Sequence, residues 1–83
     1  MDKSAIISII VKLQLIQEIT WDDIEAINNW LPPYDYATNI AEYPSGTYYI
    51  IFVKDYNISD HNSIVTTNPL KFANGLTKLI EIL

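Results

Sequence analysis

The stretch Tyr48-Tyr49-Ile50-Ile51-Phe52-Val53 decides how the rest of the chain must fold. Six consecutive strand-favouring residues, entered through Pro44-Ser45-Gly46-Thr47, read as a central β-strand at the end of a tight turn. Asn39 to Tyr43 reads as its hairpin partner. Pro44 suits the first central turn position and Gly46 a left-handed one, which gives a three-residue connection with a bulge. In that register Tyr43 opposes Thr47, Glu42 opposes Tyr48 and Ile40 opposes Ile50. One face then carries Ile40, Tyr48, Ile50 and Phe52. The other carries Ala41, Tyr43, Tyr49, Ile51 and Val53. Both faces are apolar, whereas a sheet covered on one side normally alternates apolar with polar residues. The second face therefore needs a cover: a helix, another copy of the chain or a different protein.

Residues 4 to 19 fit two templates. Ile6, Ile9, Ile10, Leu13, Ile16 and Ile19 recur at helical spacing, while Ala5, Ile7, Ile9, Val11, Leu13 and Leu15 alternate as in a strand. Length decides for a helix, since sixteen residues without Gly, Pro or Asn is long for a strand. Ile7, Val11 and Leu15 form a second apolar stripe that hints at a neighbouring helix or a partner chain. The expected break falls at Ile19-Thr20. Thr20 reads as an N-cap, and Asp22, Asp23 and Glu25 favour the positive end of a second helix that carries Trp21, Ile24, Ile27 and Leu31. Pro32-Pro33 stops that helix. Residues 32 to 38 read as a tyrosine-rich loop.

Beyond the central strand, Asp55 to Asn62 reads as a polar loop and Ile64-Val65-Thr66-Thr67 as a third short strand. Asn68-Pro69 supplies an N-cap and a first-turn proline for the last helix. Phe72, Ala73, Leu76, Leu79, Ile80 and Leu83 make its apolar stripe, and Gly75 within it suggests close backbone contact. The expectation is one α+β domain over residues 1–83, order ααβββα, with a three-stranded antiparallel sheet packed with helices.

The chain has 83 residues, 49% hydrophobic and 18% charged, which argues against disorder. It has no cysteine, so disulfides and thiolate metal sites are excluded. Ten acidic residues stand against five basic ones, all lysines and none clustered, for a net charge of -5. Without arginine or a basic patch, direct binding to DNA or RNA is not expected. The apolar run near the N-terminus is interrupted by Lys12, Gln14 and Gln17 and is too short to span a bilayer. The expected setting is cytoplasmic, with no membrane association.

Catalytic chemistry finds few candidates. His61 is the single histidine, and neighbouring Asp60 would point away from it in an extended segment. No nucleophile elbow, phosphate loop or zinc helix motif occurs. Asp55, Asn57 and Ser59 alternate like the start of a calcium loop, but Asp60 and Thr66 stand where that loop needs Gly and Glu. Asn57-Ile58-Ser59 is a glycosylation acceptor pattern without a secretory context. No enzyme activity, cofactor or metal is expected.

The tyrosines carry more weight, because tyrosine combines contact area, low entropy loss and a polar tip at protein interfaces. Tyr34, Tyr36, Tyr43, Tyr48, Tyr49 and Tyr56 interleave with acidic residues. The candidate contact set is Tyr34, Asp35, Tyr36, Glu42, Tyr43, Tyr49, Ile51, Val53, Asp55 and Asp60. The expected function is that of a small acidic protein-binding module that occludes a basic surface of a larger protein, as phage or bacterial inhibitors and immunity proteins do. The alternative is a homodimeric accessory subunit without catalytic activity.

Overall fold

The structure is a computed structural model that describes residues 3–53 and 63–83. Its elements are α1 (Ser4–Gln14), α2 (Trp21–Trp30), β1 (Tyr36–Tyr43), β2 (Gly46–Val53), β3 (Ile64–Thr66) and α3 (Pro69–Ile82). The strands form one antiparallel sheet in the order β1-β2-β3. This is the expected α+β arrangement.

α1 buries Ile6, Ile9, Ile10 and Leu13, the stripe its spacing predicts. It ends at Gln14, five residues before the expected break. The Ile16 N–H donates to the Leu13 carbonyl (3.1 Å) and the Gln17 N–H to the Lys12 carbonyl (2.8 Å). That pair of bonds is a Schellman motif, which needs a left-handed residue at the position Ile16 occupies. Ile16 adopts φ 56°, with no glycine there to signal it. The chain then passes without regular structure to Thr20, whose backbone is extended.

Thr20 caps α2 as expected. Its backbone N–H donates to Asp23 Oδ2 (2.9 Å), and its hydroxyl accepts a longer bond from the Asp23 N–H (3.4 Å). Ile19 and Ile24 occupy the two positions of a hydrophobic staple, and both are buried. Asp23 also meets Lys12 Nζ at 3.3 Å, which ties α2 to α1. Leu31 is already extended ahead of Pro32, as a pre-proline residue must be.

In the third helix, Asn68 accepts from the Leu70 N–H (2.9 Å) and Pro69 opens the first turn. Phe72, Ala73, Gly75, Leu76 and Leu79 are buried, and Leu83 is exposed. Lys3, just before α1, reaches the Ile80 carbonyl near the end of α3, so these two helices run antiparallel. α2 packs on β1, α3 packs on β2 and β3, and α1 lies against both helices.

The hairpin differs from expectation in two ways, with one cause. Tyr43 pairs with Gly46, so the connection is only Pro44-Ser45, and Ile40 pairs with Tyr49. A slip of one residue exchanges the two faces of one strand relative to the other. The helix-facing set is therefore Tyr36, Thr38, Ile40, Tyr49, Ile51, Val53, Ile64 and Thr66. Ile51 lies under α3 at 1% exposure, and Tyr49 stacks on Phe72 with centroids 5.1 Å apart. The outward set is Ala37, Asn39, Ala41, Tyr43, Tyr48, Ile50, Phe52 and Val65. In addition, β1 begins at Tyr36, so residues 36 to 38 are strand and not loop.

Candidate functional site

Ala41 lies directly across from Tyr48 on the outward face, and Tyr43 and Ile50 flank this pair diagonally. The alanine leaves the floor low while the aromatic rings stand up around it. The result is a depression of about 570 Å³ lined by Ala41, Tyr43, Tyr48, Ile50 and Val65 and closed at the hairpin end by Pro44 and Ser45. Tyr43 and Tyr48 meet edge to face, centroids 5.5 Å apart. No described element packs on this face. Its side chains shield one another only in part, and Tyr43 (59%) and Val65 (48%) remain exposed. No outward position of the three strands carries a charge.

The edge of the sheet is treated differently. Within an antiparallel pair, alternate residues turn their N–H and C=O groups away from the partner strand. On β1 these are Tyr36, Thr38, Ile40 and Glu42. The Tyr36 N–H donates to the Pro32 carbonyl (3.2 Å). The Thr38 N–H donates to Asn28 Oδ1 (2.7 Å), and Asn28 Nδ2 donates back to the Thr38 carbonyl (3.0 Å). The Ile40 N–H donates to Asn39 Oδ1 (2.9 Å). Three successive edge donors are thus taken by groups of the same chain, which closes β1 to strand addition along most of its length.

The expected contact residues are not brought together. Tyr43 alone belongs to the uncovered face. Tyr34 and Asp35 are exposed in the turn before β1, and Glu42 is exposed at the end of β1 on the opposite side from Tyr43. Tyr36 and Val53 are half-buried beneath the helices, and Ile51 is fully buried. Tyr49 is also half-buried there; burial pushes its hydroxyl above the usual tyrosine range, and the Glu18 carboxylate adds to that. Asp55 and Asp60, together with His61 and the calcium-like pattern from Asp55 to Ser59, lie outside the described residues. Ala41, Tyr48, Ile50, Phe52 and Val65, which share the outward face with Tyr43, are not among the expected contact residues; the two-residue turn is what turns Tyr48, Ile50 and Phe52 to that face.

Among the described residues no group of three or more His, Cys, Asp or Glu side chains could hold a metal ion. No described helix is long and apolar enough to cross a membrane. Every buried side-chain nitrogen and oxygen among the described residues has a hydrogen-bond partner. Comparison with protein-family models, with curated proteins and with solved structures finds no match.

Proposed function

We propose that this chain is a non-catalytic protein-binding module that docks another protein through the uncovered face of its sheet. One observation carries the reading: among the described residues, the helices that pack on the sheet lie on one side, and the strand positions on the other side carry no charge in a chain of net charge -5. Contiguous apolar surface of this kind marks contact sites in small proteins. The edge-to-face Tyr43–Tyr48 pair supplies the aromatic area that anchors such contacts.

The occlusion of a basic surface is a second reading, and it belongs to another part of the molecule. Glu18, Asp22 and Glu25 are exposed at the junction of α1 and α2, beside exposed Trp21. Salt separates the two, because ionic contacts weaken as the Debye length shortens and apolar contacts do not. The test is retention of partner protein by the tagged chain and by its Val65→Glu variant, at low and at high salt. The proposal expects salt-resistant retention that Val65→Glu abolishes. Retention that high salt removes and Val65→Glu leaves intact transfers the function to the acidic junction. Retention of nothing by a chain that is also monomeric overturns both.

A further inference from the structure

No described element packs on the outward face of the sheet. Resting on the reading of that face as a contact surface, we infer that it pairs with the same face of a second copy of the chain, sheet against sheet about a two-fold axis.

Charge is the first argument. Two copies of a chain with net charge -5 repel one another over most of their surfaces. The outward positions of β1, β2 and β3 hold Ala, Asn, Tyr, Gly, Ile, Phe and Val and no acid. This is the face on which two such chains meet without placing carboxylates against carboxylates. A basic partner would gain nothing there from the charge of the protein.

The closed edge is the second argument, and it is independent of the first. Sheet proteins commonly associate by adding a strand at a free edge. Here the edge donors of Tyr36, Thr38 and Ile40 are already occupied by Pro32, Asn28 and Asn39. β3, at the other edge, is only three residues long. Lateral growth is blocked or short, while the broad face stays open.

Shape and area agree. The molecule is a slab, 31 × 30 × 19 Å. Two strands of eight residues and one of three, at the usual rise and spacing, give a footprint of roughly 300 Å² per copy before side-chain relief. Two copies then bury on the order of 600 Å² before that relief, the scale of a weak, reversible contact. That places the pair among reversible dimers. In an isologous contact each residue serves both copies, so the Tyr43 that stands at the rim of one depression is offered to the depression of the other. The exposed stripe of Ile7, Val11 and Leu15 on α1 is a narrower surface, one helix of 11 residues.

Sedimentation velocity tests the inference, over about 5 to 500 μM, the range in which reversible dimers of this size form. The wild-type chain is compared with Val65→Glu and with Ile7→Glu on α1, each confirmed folded by circular dichroism. The expected result is a wild-type mass that doubles with concentration, a monomer throughout for Val65→Glu, and wild-type behaviour for Ile7→Glu. A wild-type chain that stays monomeric overturns the inference, whatever the variants do. So does a dimer lost in Ile7→Glu and kept in Val65→Glu. A monomer that still retains a different protein, lost on Val65→Glu, removes the second copy and leaves the docking face standing. A monomer that retains nothing removes both.

Discussion

Asn28 of α2 pairs with the backbone of Thr38 in β1 as a fourth strand would, donating to its carbonyl and accepting from its N–H. The Thr38 hydroxyl donates to the same Asn28 oxygen at 2.9 Å. Thr38 is the buried polar residue of the core, and this amide makes its burial tolerable. Removing the amide leaves an N–H and a C=O without partners at the sheet edge. Asn28→Ala should cost about 2–3 kcal/mol in urea unfolding, more than a lost exposed hydrogen bond. Asn28→Asp keeps the acceptor but sets a carboxylate against the Thr38 carbonyl. The variant should be as unstable at neutral pH and should recover relative to wild type as pH falls toward about 4, because the protonated acid can donate, with no further gain below that.

Ile16 sets a β-branched side chain at φ 56° with 66% of its surface exposed. Little burial is lost if it is replaced, and the left-handed conformation disfavours any residue with a Cβ. Ile16→Gly should raise stability by about 1 kcal/mol, while Ile16→Ala should change it little. Thermal unfolding of the two variants side by side measures the difference. A destabilised glycine variant would show that Ile16 packs on something the charge and burial pattern do not reveal.

Gly75 lets α3 settle onto β2. A Cβ added there would stand 2.7 Å from Ile51 Cδ1 and 3.0 Å from Ile64 Cδ1. Alanine would favour the helix by up to about 1 kcal/mol, but overpacking a filled core costs about 1–3 kcal/mol. Gly75→Ala should therefore be destabilising by about 1 kcal/mol. Ile51→Val deletes the nearer methyl, so Gly75→Ala combined with Ile51→Val should be more stable than the sum of the single changes predicts. A double-mutant cycle in denaturant reads that coupling directly.

Tyr49 makes the fold sensitive to alkali. Its hydroxyl is held above the usual range by burial and by Glu18. The folded state therefore keeps its proton to higher pH than the unfolded state does. The stability from this site is complete below the unfolded value of about 10 and falls as pH rises through the folded one. Tyr49→Phe keeps the ring over Phe72 and removes the titration. Its advantage over wild type should appear only above about pH 10, in melting temperatures taken across the alkaline range.

Most of the elements were legible because single residues mark their ends. Thr20 with Asp23, Pro32-Pro33 and Asn68-Pro69 place the boundaries of α2 and α3 through capping and proline sterics. The end of α1 was not legible, because the left-handed residue there is an isoleucine that looks like one more helical core position. The hairpin register was not legible for a different reason. Pro44-Ser45-Gly46 can close a hairpin over two residues or three, and the choice inverts the faces of β2. A strand that is polar on one side would have decided it. Tyr48 to Val53 is apolar on both sides, so the pattern that suggested an interface also hid which residues share the outward face. The Asn28–Thr38 pairing joins two elements ten residues apart and leaves no periodic trace.

The most direct measurement of the docking face is a dilution series of amide spectra by nuclear magnetic resonance. Concentration-dependent shifts should fall on the outward positions, Ala37, Asn39, Ala41, Tyr43, Tyr48, Ile50, Phe52 and Val65. The amides around Ile7, Val11 and Leu15 on α1 should stay still. Shifts confined to α1, or spectra that do not change with concentration or with added partner protein, would contradict the assignment of this sheet face as the contact surface.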